Sequence, residues 1–509
     1  MLLYISTAVL ALLALAWTYT SLQHPRRKYP PGPKGLPIVG NLFDVPMKNG
    51  WITFCDWSRR YNSDVVHVEA LGKHIYAVNS AQAAKDLFDG RPQIYSDKEQ
   101  SVMTHELSGW RRAWALSPFD DVWREHRRLF HKHFGPGVAS RHHHKQEKAM
   151  RRLLLLLLDA PEDFSAHIRY AAGSVILDVV YAFDALPGDV RIGQIEPAVQ
   201  TFTALMETGV YLVDVFPILK YIPAWFPGAQ FKRQAAQYKH LVDVMFKAPY
   251  EQFKAAWAKG VAQPCFLGSL LGDSEMALDY EREDFLTNLT GTVYAAGSDT
   301  TVAAMNTFVL AMVMYPEVQT YVQEELDRVV GRDHLPTMSD RERLPRVMAI
   351  VHEVLRWHPP LPLATPHRTM SDDVYNGRFI PSGSVIFGNS WAMLHDPATY
   401  PAPHTFDPKR FLTRSGVLRD DVPLPTEVFG FGRRACPGRY FAVDMLFLAV
   451  AHILAVFAVE RAKGARGPVD VKEEFTPYVL SLPKPFRAHF WPRFDGAEEL
   501  IRSAAAADM

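Results

Sequence analysis

Cys436 lies in a short run of glycines, arginines and a proline, Phe-Gly-Phe-Gly-Arg-Arg-Ala-Cys-Pro-Gly-Arg-Tyr at 429–440. A thiolate that ligates a metal needs backbone N–H groups directed at its sulfur, and glycines allow the tight turns and close approach that this requires. We expect Gly432 and Gly438 to make those turns. The run therefore predicts a loop in which Cys436 is the thiolate ligand of a haem iron.

Two neighbouring features fit the same prediction. Arg434, two residues before the sulfur, can reach a haem propionate. The apolar stretch at 441–456 predicts a helix whose N-terminus points toward the sulfur and favours its anionic form. The alternative is a buried structural cysteine in a glycine-rich turn, but the pattern Phe-x-x-Gly-x-Arg-x-Cys-x-Gly fits at every position.

A second motif, Ala-Ala-Gly-Ser-Asp-Thr-Thr at 295–301, lies in the middle of a long helix-compatible stretch. A glycine and two adjacent threonines are locally unfavourable inside a helix. A small residue there lets oxygen and substrate pass close to the backbone, and the acid–hydroxyl pair Asp299 and Thr300 can deliver protons to dioxygen. The alternative is a kinked core helix, which the cysteine loop disfavours.

Three charged residues are candidates for a buried network behind the haem. Glu353 and Arg356 are three residues apart and lie on one helix face, so they can pair. Such pairs are common on surfaces, but Arg410, in Phe-Asp-Pro-Lys-Arg-Phe at 406–411, can add a second charge-assisted bond to Glu353.

Trp123 and Arg127 are four residues apart on a predicted helix, and an indole donor beside a guanidinium suits haem propionates. The alternative is an amphipathic surface helix. The same segment is also such a helix, because Arg124, Arg128 and Lys132 form a basic face. That face is suited to docking an acidic electron donor.

The elements that must position these motifs are mostly helices. The stretch 284–315, which ends before a proline, predicts one unusually long helix. The six leucines at 151–159 are too few for a membrane span and predict a helix buried on all sides. Two hairpins are expected, one at 65–78 and one at 373–387, where Asn-Gly signals a tight turn.

With these motifs the chain resembles a membrane-anchored cytochrome P450, of the kind that fungi use in secondary metabolism and detoxification, and the match covers nearly the whole length after residue 22. The resemblance implies that Cys436 is the proximal ligand of haem b, and that Asp299 and Thr300 activate oxygen. It also implies that Glu353, Arg356 and Arg410 form a structural triad, and that Trp123, Arg127, His367 and Arg434 bind the haem propionates.

The resemblance further implies a mainly α fold with small β-sheets, a helix-rich triangular prism, preceded by an N-terminal transmembrane helix. The reaction implied is insertion of one oxygen atom from O2 into a small hydrophobic substrate. The chain has no glycine-rich dinucleotide motif and no flavin region. The electrons are therefore expected from a membrane-bound partner, NADPH–cytochrome P450 reductase.

Two alternatives to a monooxygenase remain open from the sequence. One is a haem-thiolate isomerase or dehydratase that needs neither O2 nor a reductase, although the pair Asp299 and Thr300 counts against it. The other is a haem protein that binds a diatomic gas without catalysis. The substrate itself stays undetermined, because the candidate pocket segments at 101–117, 206–216 and 361–365 are mainly apolar and aromatic.

Bulk composition excludes several functions. The formal net charge of the 509-residue chain is +0, so a nucleic acid partner is not expected. The three cysteines show no paired spacing, which argues against a disulfide framework or a structural zinc site. Apolar residues make up 48% of the chain, enough for a large core.

Residues 1–22 carry no charge and are long enough to span a bilayer as a helix, and Arg26, Arg27 and Lys28 follow them. A cleaved signal peptide is the competing interpretation, but no basic residues precede the apolar stretch. We therefore predict a single-pass anchor at 1–22 in the endoplasmic reticulum membrane, in contact with lipid. A basic, proline-rich hinge at 23–41 and a cytosolic monooxygenase domain at 42–509 are expected after it.

Overall fold

The computed structural model describes residues 28–207, 211–272, 279–464, 467–468 and 470–507. The predicted anchor at 1–22 lies outside the described residues. The helices are, in chain order, α1 (Gly50–Tyr61), α2 (Ala81–Ala84), α3 (Pro92–Tyr95), α4 (Asp121–Phe134), α5 (His143–Asp159), α6 (Phe164–Tyr181), α7 (Val190–Glu207), α8 (Leu212–Val215), α9 (Gln230–Ala258), α10 (Phe266–Leu271), α11 (Tyr280–Met314), α12 (Pro316–Val329), α13 (Pro345–Trp357), α14 (Ser390–Leu394), α15 (Arg439–Val456) and α16 (Ala497–Ala506).

The strands are short. They are β1 (Val65–Ala70), β2 (Lys73–Val78), β3 (Asp97–Lys98), β4 (His367–Arg368), β5 (Asp373–Tyr375), β6 (Arg378–Ile380), β7 (Val385–Gly388), β8 (Phe457–Arg461), β9 (Lys463–Gly464), β10 (Gly467–Pro468) and β11 (Ala488–Pro492). The prediction of a mainly α chain with small sheets is confirmed.

The chain divides into two compact units, which we describe separately. The described part of the first unit comprises 28–99, 363–393 and 431–433. Its sheet has the strand order β1-β2-β7-β4-β3, with β2 and β7 parallel and the other neighbours antiparallel. The predicted first hairpin is the β1–β2 pair, in which Val65 lies opposite Val78.

The second predicted hairpin is shorter than expected. Strands β5 and β6 pair across Asn376 and Gly377, whose φ angles of 48° and 72° are those of a tight turn that favours Asn-Gly. Strand β7 does not continue this hairpin. It lies between β2 and β4 in the larger sheet instead.

The second unit is helical and is built around α11. This helix packs against α6, α7, α9 and α15 and is buried along most of its length. Asp279 caps its first turn by accepting a hydrogen bond from the Arg282 N–H at 2.9 Å, and the helix ends at Met314, just before Pro316. The predicted long helix is therefore confirmed.

The glycines of α11 are places of close helix contact. A Cβ atom at Gly297 would lie 2.8 Å from Cδ1 of Ile176 on α6, and one at Gly291 would lie 2.4 Å from the ring of Phe246 on α9. These glycines cost helix propensity, but they let the neighbouring helices approach more closely than alanine would allow. The backbone around Asp299 is thereby held directly against α6.

The expectation for the leucine run was wrong in part. Leu153, Leu154 and Leu157 are buried, whereas Leu155, Leu156 and Leu158 are half-buried. The helical period of 3.6 residues turns part of a six-leucine run away from the core, whatever its composition.

Among the described helices, α15 by itself is long and apolar enough to cross a membrane, and so is the α11–α12 pair if its two helices, bent by 104°, are taken as one broken span. Most of α15 is buried inside the second unit, where it packs against α5, α11 and α13. An apolar helix of this kind is also typical of a protein core.

Gly388 tests the packing of Phe431 inside the first unit. A Cβ atom there would lie 2.1 Å from Cε2 of Phe431, so we expect Gly388→Ala to displace that ring and lower the free energy of unfolding by about 1–3 kcal/mol. Thermal denaturation measures the loss. Gly193→Ala in α7 is the control, because no heavy atom lies within 4 Å of its Cβ position. Equal midpoints for the two variants would contradict the contact.

Candidate active site

The cysteine loop is held by its own backbone. The Cys436 N–H donates to the Phe429 carbonyl at 2.7 Å. Gly432, in the first unit, has φ +55°, and a Cβ atom there would lie 2.5 Å from the Phe88 carbonyl oxygen. Both the turn and the close approach that we predicted for Gly432 are therefore observed. Gly430, which we did not single out, also has a positive φ of 76°.

Gly438 differs from expectation. Its φ of −88° is accessible to any residue, and a Cβ atom would make an ordinary 3.8 Å contact with Phe130. What Gly438 contributes is its backbone N–H, which hydrogen-bonds to the Cys436 sulfur. The residue two positions after the cysteine is thus needed for the direction of its N–H and not for an unusual φ.

Several effects act on the pKa of the Cys436 thiol, and they act in opposite directions. Burial raises the pKa of the Cys436 thiol, and the Gly438 N–H lowers it. The positive charges of Arg127 and Arg439 also lower that pKa. Helix α15 begins at Arg439, two residues earlier than predicted, so its N-terminal end lies close to the sulfur in sequence. Sequence reasoning missed the charge of Arg439, although this residue lies only three positions after the cysteine.

Three of the four predicted propionate ligands lie together in the second unit. The Arg434 guanidinium carbon lies 4.3 Å from the centre of the Trp123 ring, and its Nη2 donates to the Ser117 carbonyl at 2.8 Å. The Arg127 Nη1 donates to the Ala435 carbonyl at 2.6 Å. An indole and two guanidiniums therefore line the approach to the cysteine loop.

The fourth predicted ligand, His367, belongs to the first unit and is buried. Its Nδ1–H donates to the Tyr95 carbonyl at 2.6 Å. Across the strand pair, His367 lies opposite Lys98, a buried lysine whose Nζ donates to the Thr365 carbonyl and hydroxyl oxygens at 3.0 and 2.7 Å. Lys98 carried no recognisable signal in the sequence.

The middle of α11 exposes a small surface. Ala296 is exposed and Thr300 is half-buried, although most of the helix around them is buried. The Thr300 hydroxyl donates to the Ala296 carbonyl at 2.8 Å. Asp299 is buried on α11 and accepts a hydrogen bond from Arg169 Nη1 on α6 at 2.5 Å. Burial raises the pKa of the Asp299 carboxyl, and Arg169 opposes this effect.

Glu353, Arg356 and Arg410 are brought together inside the second unit. The Arg356 Nε and Nη2 donate to the two carboxylate oxygens of Glu353 at 2.7 and 2.8 Å, and Arg410 Nε lies 3.1 and 3.2 Å from the same oxygens. Glu353 and Arg356 are fully buried. The Asp407 N–H also donates to Glu353, so the network ties α13 to the segment around 407.

Comparison with known proteins identifies the family. The cytochrome P450 family model matches residues 30–490. The chain belongs to the cytochrome P450 family. A cytochrome P450 monooxygenase from Armillaria gallica is 39% identical over 98% of both chains.

Two further relatives have similar sequence identities. Cytochrome P450 monooxygenase ple1 from Rhodocybe pseudopiperita is 38% identical over 97% of this chain and 95% of its own. Tryptamine 4-monooxygenase from Psilocybe cyanescens is 37% identical over 96% of this chain and 97% of its own. With the family match, these relatives make the chain a haem-thiolate monooxygenase with haem b as cofactor.

The side chains of this P450 fit that cofactor. Haem b presents an iron that accepts a thiolate and two carboxylates that accept hydrogen bonds, and the loop offers the Cys436 sulfur beside the cationic and indole donors of Arg127, Arg434 and Trp123. Haem supplies oxygen activation when it is bound, and the thiolate ligand favours O–O cleavage.

We expect Glu353→Gln to destabilise the P450 strongly. The variant removes the negative charge that compensates two buried guanidiniums, which costs about 3–5 kcal/mol when one partner of a buried pair is lost. The midpoint of thermal denaturation and the haem content should both fall. Glu498→Gln is the control, because Glu498 pairs with Arg502 on an exposed face and should change stability by less than about 0.5 kcal/mol. Wild-type stability of Glu353→Gln would contradict this assignment.

Proposed function

We propose that this P450 inserts one oxygen atom of O2 into a hydrophobic organic substrate, with electrons from NADPH supplied by a separate cytochrome P450 reductase. The substrate class is a polycyclic aromatic, a terpenoid or another secondary metabolite or xenobiotic. The observation that carries the proposal is the half-buried Thr300 beside the exposed Ala296, in the middle of a helix that is buried on either side of this turn.

The roles of the loop residues follow from their contacts. Cys436 is proposed as the axial ligand, with its anionic form favoured by the Gly438 N–H and by Arg127. Trp123, Arg127 and Arg434, together with His367, are proposed to hold the haem carboxylates. A neutral indole and charged guanidiniums at these positions can fix the orientation of the cofactor without competing for the iron.

Asp299 and Thr300 are proposed to move protons to the oxygen-binding side. Thr300 has its hydroxyl proton bound to the Ala296 carbonyl, so its oxygen lone pairs can accept a hydrogen bond from another group. Asp299 is adjacent in sequence and is the buried acid of this turn. Glu353, Arg356 and Arg410 are proposed to act structurally, as the buried network that holds the segment before the cysteine loop.

A hydrophobic substrate is supported by the segments expected to line the pocket, which are mainly apolar and aromatic. The relative from Psilocybe cyanescens is named for oxidation of tryptamine, an aromatic amine. That name supports aromatic rings as one candidate class for a chain 37% identical to it.

We propose that residues 1–22 anchor the protein in the endoplasmic reticulum membrane, that 23–41 form the hinge, and that 42–509 carry the cytosolic monooxygenase. Membrane contact is supported by an exposed apolar cluster in α8 and in the segment between α8 and α9, in which Ile218 is 71% and Trp225 79% exposed. Its other members are Leu212, Phe216, Tyr221 and Phe226. Aromatic and aliphatic side chains of this kind partition into the lipid interface.

The proposed reductase contact is the exposed face of α4. Its charges are partly balanced on the helix itself, because Arg124 pairs with Asp121 and Arg128 pairs with Glu125 at 2.7 Å. Lys132 is exposed on the same helix. An acidic electron donor would therefore meet a face with a modest positive charge, and its docking should weaken as salt screens that charge.

The reduced protein should give a carbon monoxide difference band at the red-shifted position typical of thiolate-bound haem. Cys436→His replaces the thiolate by an imidazole, so its band should move to the imidazole-type position. Cys265→Ser is the matched control and should keep the wild-type band, because the Cys265 sulfur caps α10 by accepting a hydrogen bond from the Gly268 N–H, which a serine oxygen can also accept. An imidazole-type band in the wild-type protein would refute the ligand assignment.

Asp299→Asn should separate electron consumption from product formation. With reductase and NADPH, loss of one proton-transfer group should reduce product formation by about a hundred-fold while NADPH is still consumed. The carbon monoxide band should be unchanged. Glu281→Gln, an exposed position in the first turn of the same helix, is the control. Fully coupled turnover in Asp299→Asn would rule out the role of this acid.

A further inference from the structure

His358 lies at the end of the helix that carries the buried network of Glu353 and Arg356. It follows the last residue of α13, and its N–H donates to the Val354 carbonyl at 3.3 Å. Its ring is buried and lies against the Phe475 ring, with the ring centres 3.4 Å apart and the planes inclined by 12°. Burial lowers the pKa of His358 to about 3, so the imidazole is neutral near pH 7.

The imidazole contacts a turn that is distant in sequence. The turn comprises residues 476–482, and we call it the serine turn. His358 Nε2 lies 2.7 Å from Oγ of Ser481, and the Ser481 hydroxyl donates to the Thr476 carbonyl at 2.7 Å. Because a hydroxyl has a single proton, the Nε2–H of His358 must donate to the Ser481 oxygen. Two hydrogen bonds in series therefore connect the end of α13 with the serine turn.

The serine turn is closed by its own residues. The Thr476 N–H donates to the Leu482 carbonyl at 2.8 Å, and the Leu482 N–H donates to the Thr476 hydroxyl oxygen at 3.0 Å. The Thr476 hydroxyl donates to the Leu480 carbonyl at 3.2 Å. The Ser481 N–H donates to the Pro360 carbonyl at 2.9 Å. The turn is thus a compact unit that Ser481 joins to the end of α13.

The serine turn also contributes to a cavity. Ser481 is fully buried and contacts His358, whereas its chain neighbours Leu480 and Leu482 are half-buried and line a cavity of about 320 Å³. The rest of the cavity lining comes from α6, α7 and α11 and includes Asp299. Because the three turn residues are consecutive, a movement of Ser481 also moves both leucines.

The cavity borders the part of α11 where oxygen insertion is proposed, since Asp299 lines it and Thr300 is the next residue. We propose that His358 is a positioning residue: through Ser481 it holds the two leucines back from α11, and it thereby sets the length of the hydrophobic substrate that fits beside Thr300. Without the imidazole N–H, the leucines are free to approach α11, because apolar side chains relax into unfilled space. This inference rests on the proposed function, because it takes the space beside Thr300 to hold the substrate.

The test measures the length of the cavity with 1-alkylimidazoles in the full-length holoenzyme. The imidazole nitrogen of the probe binds the haem iron, and the alkyl chain extends into the substrate space. Each added CH2 group should raise the affinity about four-fold until the chain meets the leucines. The chain length at which the affinity stops rising is the optimum length. The red shift of the Soret band gives each dissociation constant without reductase or turnover.

Four variants should change the optimum length in different ways. His358→Phe keeps a ring against Phe475 but removes the donor, so the optimum should shorten and the affinity for the wild-type optimum chain should fall about ten-fold. Ser481→Ala removes the acceptor and should do the same. His358→Gln keeps an N–H donor near the position of Nε2 and should restore the wild-type optimum. Leu482→Ala removes part of the cavity lining and should lengthen the optimum.

His452→Phe is the matched control. His452 on α15 is also buried, and its Nε2–H donates to the Pro336 carbonyl at 2.7 Å. Thermal denaturation should show a lower midpoint for this variant, as for His358→Phe, but the optimum length should stay that of the wild type. A shortened optimum in His452→Phe would mean that loss of stability alone alters the cavity, and the proposal would be overturned.

A double variant shows whether His358 acts through Ser481. His358→Phe combined with Ser481→Ala should shorten the optimum no further than either change alone, because both remove the same hydrogen bond. Additive shifts, an unchanged optimum in His358→Phe, or a glutamine variant that recovers nothing would each overturn the proposal. If His358→Phe does not fold with haem, the optimum length of Ser481→Ala decides in its place.

The same titrations separate failure of this inference from failure of the proposed function. If the wild-type protein gives no red shift with imidazole itself, the iron has no open position and the proposed function fails. If wild-type affinity rises with chain length while His358→Phe and Ser481→Ala keep the wild-type optimum, this inference alone fails. A wild-type affinity that does not depend on chain length would likewise overturn it.

Discussion

The close contact of α6 with α11 at Gly297 is the constraint on which the centre of the second unit depends. With no side chain at Gly297, Ile176 can lie against the helix backbone, and the axes of the two helices are brought together. The same approach lets Arg169 reach Asp299 and leaves Ala296 and Thr300 on the remaining open side of α11. The absence of a side chain at Gly297 thus determines which face of α11 packs against α6 and which face stays open.

At three buried sites of this unit, arginine guanidiniums favour the charged form of an acidic group. Each site carries an acidic group that burial disfavours in its charged form, and each has arginines within reach: Glu353 with Arg356 and Arg410, Asp299 with Arg169, and Cys436 with Arg127 and Arg439. The sites differ in the number of guanidiniums that contact the acidic group and in its exposure. Glu353 has two guanidiniums and no exposure, which suits a permanent structural link, whereas Asp299 has one guanidinium that a second carboxylate also approaches.

Much of this arrangement was predictable, because the motifs depend on local geometry. The turn at Gly432, the long helix over Asp299 and the pairing of Glu353 with Arg356 all follow from spacing within a few residues. The rest depends on tertiary packing. Arg169 and Asp299 are separated by 130 residues, and nothing near Arg169 marks it as a partner. Gly438 and the leucine run were misjudged because residue type indicates a preference, while φ and the helical period decide the outcome.

Ala296 is a position at which the exposed surface of α11 can change. Its methyl group is exposed in a helix that is otherwise buried around it, and its carbonyl holds the Thr300 hydroxyl through the backbone, whatever its side chain. A larger residue at this position would project from the exposed side of the helix, and it would leave the contact at Gly297 and the Thr300 hydrogen bond in place. The open surface beside Thr300 can therefore change in size at one position, while its neighbour Gly297 is held fixed by packing against Ile176.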